Sequence, residues 1–243
     1  MIQWIKLDIL AIGVHPDDVE LSCSGTLLKQ IAFGNSVGIL DLTRGELGSR
    51  GSAEIRDEEA RTAQLMMGAV VRENAGMKDG FFKHNEENLL KIIRVIRKYR
   101  PEIVLANALE DRHPDHGRAA KLTADACFLS GLLKIETTDE SGDAQRPWRP
   151  AHLYHYMQDR SLNPDFVVDI SPFAERKMEL IKAYSSQFYN PELPGPQTPI
   201  SDKNFLLSVQ AKDRVFGRLL NVEFAEAFNA ARAVGVKDLF DLQ

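Results

Sequence analysis

The sequence predicts an α/β protein in which a doubly wound, mostly parallel sheet is flanked by helices, as in Rossmann-like folds, with a single domain over residues 1–243. Three observations predict this class. Short β-branched runs alternate with amphipathic stretches through the first half of the chain, which is typical of βαβ units. These runs are almost continuously apolar, which favours strands that are buried on both faces. The chain is also long enough to bury a sizeable core.

The first half of the chain contains four predicted strands separated by helices. The strands are expected at 7–14, 36–43, 69–74 and 102–108, and the helices at about 23–33, 54–67 and 86–99, with another after residue 116. The helix at 86–99 has apolar residues at helical spacing with Lys and Arg between them. It stops before Pro101, because proline cannot continue a helix.

The second half of the chain has a less regular pattern. Residues 134–150 are polar and predict an exposed loop. Beyond that loop we expect strands at 151–157 and 166–170 and helices at about 172–187 and 204–220. The proline-rich stretch 190–199 cannot form regular structure, so we expect an ordered loop near a functional site or an interface. The tail, VEFAEAF, is expected to dock on the main body.

The composition restricts the classes of partner. The formal net charge of −5 argues against a nucleic-acid partner, and no basic block suggests an anionic membrane surface. The first residues lack the features of a signal peptide, and no apolar run approaches the roughly 20 residues that span a bilayer. Cys23 and Cys127 both lie in apolar helical patterns, which is typical of reduced thiols. We therefore expect a cytoplasmic protein without a disulfide.

Two similar polar motifs follow predicted strands. HPDD occupies residues 15–18 directly after the first strand, and HPDH occupies residues 113–116 after the fourth. In a doubly wound sheet, ligands bind beyond the carboxyl ends of the strands, where the strand order reverses. A reversal between the first and fourth strands would bring both motifs to one crevice. The polar side chains gathered there would be His15, Asp17, Asp18, His113, Asp115 and His116.

This cluster contains the groups that a catalytic zinc site requires. Two imidazoles and one carboxylate form a common zinc shell that leaves a position for water, whose pKa then falls from 15.7 to about 7. A further carboxylate must take the proton, so Asp17 and Asp18 could divide these duties. The histidine that does not bind the metal could donate a hydrogen bond to a developing oxyanion. Each motif alone is more often a turn or a helix cap, but the pair favours a site.

The same residues resemble those of a known family. HPDD and HPDH are similar to the paired motifs of the zinc-dependent de-N-acetylases of the PIG-L (LmbE-like) family. DLTRGELGSRG at 41–51, followed by IRDEEA at 55–60, resembles more narrowly the branch of the bacillithiol pathway, whose enzymes deacetylate N-acetylglucosaminyl-malate. The resemblance extends over nearly the whole chain, through AYSSQF at 183–188, and implies an LmbE-like fold.

The resemblance implies a role for most residues of the two motifs. The ligands of one zinc ion per subunit would be His15, Asp18 and His116. Other divalent metals also accept this ligand set. Asp17 would be the general base. His113 would polarise the amide carbonyl and stabilise the tetrahedral intermediate, with Asp115 orienting its ring.

Three further residues are candidates for substrate binding. The resemblance implies that Arg56 and Asp79 contact the sugar. Arg50 lies in a glycine-rich loop and could clamp the malate carboxylates, because guanidinium geometry suits bidentate hydrogen bonds, or it could be an ordinary exposed arginine. The tyrosine that some relatives place near the oxyanion has no counterpart after TPIS at 198–201, where the chain reads DKNFLL.

The leading hypothesis is a metal-dependent hydrolase of the N-acetyl group of a small-molecule N-acetylglucosamine conjugate, with N-acetylglucosaminyl-malate as the first candidate. The alternatives are the same chemistry on an inositol or chitooligosaccharide conjugate, and a non-catalytic α/β protein that only binds a metal. No GxGxxG turn follows the first strand, which argues against a dinucleotide site. The resemblance also implies a homo-oligomer, with a hexamer as one form among relatives.

Overall fold

The computed structural model describes residues 5–160, 162–193 and 195–241, and the seven strands found there form one sheet. The strands are β1 (Ile9–Gly13), β2 (Val37–Asp41), β3 (Val71–Asn74), β4 (Ile103–Ala106), β5 (His152–Tyr156), β6 (Phe166–Asp169) and β7 (Ala225–Ala230). Their order in the sheet is β3-β2-β1-β4-β5-β7-β6. The first five strands in this order are parallel, and β7 runs antiparallel to both of its neighbours. The predicted α/β class with a mostly parallel sheet is confirmed.

Helices cover both faces of this sheet. The described α-helices are α1 (Asp18–Ala32), α2 (Ala53–Met67), α3 (Glu86–Tyr99), α4 (Pro114–Leu129), α5 (Ala174–Lys182) and α6 (Phe205–Leu220). Along β1, Ile9 and Ala11 pack in the cluster that contains α1, whereas Leu10 and Ile12 pack in the cluster that contains α3 and α4. This burial on both faces explains why the strand is continuously apolar. Within the described residues, no helix combines the length and apolar character needed to cross a membrane.

The first helix begins at Asp18 rather than near residue 23, so the HPDD motif leads directly into a helix. The backbone N–H of Asp18 donates to the carbonyl oxygen of His15 at 3.1 Å, and Asp17 is the N-cap residue. Acidic residues are favourable at this end, because the helix dipole is positive there. The carboxylates of the motif are therefore positioned by the start of a helix and not by a free loop.

The predicted helix at 172–187 is shorter in the structure. It consists of the 3₁₀ turn Ser171–Phe173 followed by α5, which ends at Lys182. The chain then turns back toward the middle of α2, where the carboxylate of Glu59 accepts hydrogen bonds from both the backbone N–H and the Oγ of Ser186. This contact, between groups far apart in the sequence, favours a turn over further helix.

The tail VEFAEAF supplies a strand that the sequence did not predict. Its residues form most of β7, which lies between β5 and β6 in the sheet. Alanine and glutamate are depleted in strands, so the local pattern does not reveal it. Glu226 is buried in this strand because Lys177 of α5 lies 2.9 Å from its carboxylate. Pairing with two strands and with a buried cation outweighs the weak local preference.

Candidate active site

The carboxyl ends of β1 and β4 lie side by side, so the two histidine motifs meet where the strand order reverses. The ring centroids of His15 and His113 are 4.9 Å apart, and those of His113 and His116 are 5.1 Å apart. These side chains border a cavity of about 510 Å³, whose other walls include residues 47–50, residues 198–200 and part of α6. The predicted meeting of HPDD and HPDH at one crevice is confirmed.

Three side chains offer donor atoms to a single cation. Nε2 of His116 lies 3.2 Å from Oδ1 of Asp18, and Nδ1 of His15 lies 3.7 Å from Oδ2 of the same carboxylate. One donor atom from each of the three residues lies within 4.8 Å of the other two. Two imidazoles and one carboxylate are a donor set that catalytic zinc sites use. These are the three residues that the resemblance implied as ligands.

Each of the two imidazoles is held by a second carboxylate at its other ring nitrogen. Nε2 of His15 lies 3.0 Å from Oδ1 of Asp79, and Nδ1 of His116 lies 2.7 Å from Oδ2 of Asp111. Metal-binding histidines almost always have such a partner, which fixes the tautomer and the ring orientation. The pairing leaves Nδ1 of His15 and Nε2 of His116 as the nitrogens nearest Asp18. The residues present therefore fit a divalent ion.

The electrostatics of the cluster also favour a bound cation. Burial disfavours a charged ring at His116, but Asp18 and Asp111 outweigh burial and raise the pKa of His116 to about 10. Burial likewise disfavours an ionised Asp18, yet the neighbouring His116 and His15 hold the pKa of Asp18 well below its usual range. Positive charge is therefore strongly stabilised here. A metal ion would take the place of the ring proton, because a ligating imidazole must be neutral.

Two amide side chains hold Asp18 in place, and sequence reasoning missed both. Nδ2 of Asn107 donates to Oδ2 of Asp18 at 3.0 Å, and Nε2 of Gln158 donates to Oδ1 at 3.1 Å. The backbone N–H of Ala108 donates to Oε1 of Gln158, so this amide presents its NH₂ group to Asp18. No motif marks either amide in the sequence. Asp111 was also missed, although its position two residues before HPDH was a usable signal.

Asp17 lies next to a ligand residue but has a different partner. It is 4% exposed, and its Oδ2 accepts a hydrogen bond from Nη2 of Arg56 at 2.9 Å. Burial raises the pKa of Asp17 to about 7, although the charge of Arg56 opposes the rise. The backbone φ of Asp17 is 123°, which strains a residue that has a Cβ. A buried carboxylate with a pKa near neutrality, on a strained backbone, suits a general base.

Arg56 reaches Asp17 because Gly45 leaves room for its side chain. A Cβ at residue 45 would lie 1.7 Å from Nη1 of Arg56, and the φ of Gly45 is 64°. Ser52 caps α2 and so places Arg56 in the first turn of this helix. Nε of Arg56 is buried and has no hydrogen-bond partner among the described residues, so the guanidinium retains a donor. Contact between Arg56 and the sugar stays a prediction.

The ring of His113 is oriented by the backbone of Asp115 rather than by its carboxylate. The backbone N–H of Asp115 donates to Nδ1 of His113 at 3.3 Å. The carboxylate of Asp115 instead accepts hydrogen bonds from the backbone of Gly80 and from Arg118. Because Nδ1 of His113 accepts, Nε2 carries the proton of the neutral ring. Burial and the nearby His15 lower the pKa of His113, which keeps the ring neutral.

Asp79 and Arg50 line the cavity but make protein contacts that were not predicted. Besides its contact with His15, Asp79 accepts a hydrogen bond from the backbone N–H of Leu47 at 3.0 Å. Arg50 donates from Nε, Nη1 and Nη2 to the carbonyl oxygens of Ser186, Pro196 and Leu193. Arg50 thus anchors the loop at 186–196. Direct binding of substrate by Asp79 and Arg50 stays a prediction.

Comparison with known proteins agrees with this geometry. Residues 10–127 match the family described as PIG-L: GlcNAc-PI de-N-acetylase. Diacetylchitobiose deacetylase from Thermococcus kodakarensis is 30% identical over 192 residues, which cover 74% of this chain and 70% of that protein. The chain belongs to the PIG-L family.

Two further proteins are similar to this PIG-L chain. The crystal structure of a conserved protein from Thermus thermophilus has 36% sequence identity and a TM-score of 0.84, and the match covers 96% of this chain and 98% of that one. The 1D-myo-inositol 2-acetamido-2-deoxy-alpha-D-glucopyranoside deacetylase of Thermobispora bispora is 26% identical over 63% of this chain and 60% of its own length. The solved structure shares the fold of this chain over almost its whole length.

Proposed function

We propose that this PIG-L protein is a metal-dependent hydrolase that removes the acetyl group from an N-acetylglucosamine conjugate. The observation that carries the proposal concerns Asp17. This buried carboxylate is next to Asp18 in the sequence, but it pairs with Arg56 and is not one of the three residues of the donor set. A structural ion requires only the donor set, whereas hydrolysis also requires a base outside it. Two of the similar proteins are named deacetylases, which supports the same chemistry.

The ion would be held by Nδ1 of His15, a carboxylate oxygen of Asp18 and Nε2 of His116. We propose zinc, because this is a common zinc shell, with iron and cobalt as other metals that accept the same ligands. When bound, the ion acts as a Lewis acid that lowers the pKa of water and polarises the amide carbonyl. Asp79 and Asp111 keep the two rings in the binding orientation.

Asp17 and His113 perform the proton transfer and the charge stabilisation in this proposal. Asp17 accepts a proton from water as the water oxygen bonds to the carbonyl carbon. The π electrons of the C=O bond move to the carbonyl oxygen, which accepts a hydrogen bond from the Nε2–H of His113. Asp17 then gives the proton to the nitrogen as the C–N bond breaks. The products are acetate and the free amine of the sugar.

The substrate that we propose is N-acetylglucosaminyl-malate, on the resemblance of residues 41–51 to the bacillithiol branch. Arg56 and Asp79 would contact the sugar, and Arg50, which lines the same cavity, would bind the malate carboxylates. The alternative substrates are inositol conjugates and chitooligosaccharides. These are the compound classes that appear in the names of the relatives. A cytoplasmic location and a homo-oligomer are part of the same proposal.

Acetate release by the metal-reconstituted protein tests this proposal. We expect a higher kcat/KM for N-acetylglucosaminyl-malate than for the inositol conjugate or diacetylchitobiose. His113→Ala should keep the metal and lose about 10²–10³-fold in kcat, because an oxyanion donor is removed. His84→Ala, which removes an exposed ring that contacts Asp125, is the matched control. A protein that binds zinc but releases no acetate from any of the three compounds would contradict the proposal and favour a non-catalytic metal protein.

A further inference from the structure

Among the described residues, four lysine and arginine side chains line the cavity, and three of them are already engaged. Arg56 and Arg112 each pair with an aspartate. Arg50 donates to three backbone carbonyl oxygens of the loop at 186–196. The remaining cation is Lys212 on α6.

Lys212 has donor capacity left for a ligand. Its Nζ donates to the carbonyl oxygen of Gln158 at 2.8 Å, and in the ranges that the structure describes no carboxylate oxygen lies within 4.0 Å of it. An ammonium group carries three N–H donors, so two remain. Burial and the nearby Lys177 lower the pKa of Lys212 to about 8, which still leaves the side chain largely charged at neutral pH.

The position of Lys212 matches the place where a sugar substituent would lie. Lys212 contacts the backbone of Gln158, whose side-chain nitrogen lies 3.1 Å from Oδ1 of Asp18. A single residue, Gln158, thus connects the ammonium group of Lys212 with the donor set. In an N-acetylglucosamine conjugate, the acetamide and the aglycone stand on neighbouring ring carbons. When the acetamide lies at the donor set, the aglycone must therefore lie close to the donor set as well. Lys212 is part of the cavity wall in this region.

A structural role for Lys212 is the competing explanation. Lys177 forms ion pairs with Asp213 at 2.7 Å and with Glu226 at 2.9 Å, so one buried cation serves two buried carboxylates. Lys212 adds a second positive charge near this cluster. A purely structural role would change stability and would affect all substrates alike. A role in recognition would affect charged substrates selectively, so the two roles can be separated by measurement.

We propose that Lys212 is a specificity-determining residue that binds a carboxylate of the aglycone, so that the enzyme prefers acidic N-acetylglucosamine conjugates to neutral ones. This inference rests on the proposed deacetylase function and adds to it the residue that recognises the charge of the aglycone. Charge-assisted hydrogen bonds from Lys212 to a carboxylate would be stronger in this half-buried position than in water. Ser208, one turn earlier on α6, lines the same cavity and makes this wall polar.

The test compares N-acetylglucosaminyl-malate with its dimethyl ester, which has the same linkage but no negative charge. The unmodified protein should prefer the diacid in kcat/KM. Lys212→Met should lower kcat/KM for the diacid by about ten- to a hundredfold, chiefly through KM, and change that for the ester by less than about twofold. Lys212→Arg should retain the preference, because it retains the charge. Unfolding of each variant by urea should be measured in parallel.

Arg214→Met is the matched control, because Arg214 is an exposed cation of α6 that pairs with Glu223. It should leave kcat/KM unchanged for both substrates. Equal losses on diacid and ester in Lys212→Met would overturn the inference, as would acetate release from both substrates without any preference for the diacid. Both outcomes leave the deacetylase proposal intact. Failure to release acetate from these compounds and from the neutral conjugates would instead overturn the proposed function.

Discussion

Oδ2 of Asp111 lies 2.7 Å from Nδ1 of His116, a ring whose Nε2 lies 3.2 Å from Asp18. The imidazole therefore stands between a supporting carboxylate and the carboxylate of the donor set. Asp111 is itself fixed by the backbone N–H of Arg160, which donates to its Oδ1 at 2.7 Å. The supporting carboxylate thus cannot move freely, and it holds the ring in one tautomer.

Asp111→Asn should weaken zinc binding by about 10- to 100-fold, because the amide cannot hold His116 as a basic, oriented ligand. Competition with a chelator measures the affinity, and excess zinc should restore part of the activity. Asp125→Asn is the matched control, since it removes a carboxylate from an exposed histidine, His84. Unchanged zinc affinity in Asp111→Asn would show that this contact does not support a metal ligand.

Asp17→Asn and Asp18→Asn should both lose activity, but for different reasons. Asp17→Asn keeps the donor set but cannot accept a proton, so zinc should remain while kcat falls by about 10²–10⁴-fold. Asp18→Asn replaces an anionic ligand by a weak neutral one, so its zinc content should fall. Metal analysis and acetate release on the same preparations separate the two results. Loss of zinc from Asp17→Asn alone would mean that the roles of the two aspartates are reversed.

Arg56→Gln should move the acid limb of the pH profile of kcat/KM to higher pH by about one unit or more. Burial raises the pKa of Asp17, and the charge of Arg56 holds it down, so removing that charge raises the pKa further. The base then becomes protonated, and inactive, at a higher pH. Arg44→Gln, which removes an exposed arginine that pairs with Asp57, should leave the limb in place. An acid limb that stays or moves to lower pH in Arg56→Gln would contradict the assignment of Asp17.

Lys177→Met should lower the free energy of unfolding by about 3–5 kcal/mol, because it leaves Asp213 and Glu226 buried without their cation. Glu226 also accepts hydrogen bonds from the backbone of α1, so the loss affects the contact of β7 with that helix. Urea denaturation provides the measurement. Arg176→Met, an exposed neighbour, should change stability by less than about 0.5 kcal/mol. A small effect of Lys177→Met would show that the cluster relaxes or admits water.

The fold class and the six polar residues of the two motifs could be predicted from the sequence, because short stretches of sequence are enough to reveal both. Apolar runs and helical spacing reveal alternating strands and helices without knowledge of contacts. Each motif lies at the start of the helix that follows its strand, so the order of the strands brings His15 and His116 to the same edge of the sheet. The predicted start of the first helix near residue 23 was wrong, because the polar residues of its first turn resemble those of a loop.

The amino-acid sequence alone was enough to predict the α/β class, the family resemblance and the candidate donor set. The groups that support this set became visible only in the folded chain: Asp79 and Asp111 contact the two rings, and Gln158 contacts Asp18. The contacts of Arg50 with loop carbonyl oxygens also became visible only there. The folded chain also showed that β7 is a strand and that Lys212 faces the cavity. The physical reason is that most of these contacts join distant segments, and Gln158 and Asp18 are 140 residues apart. Local preference carries no information about such contacts, because burial and pairing arise only when the chain has folded.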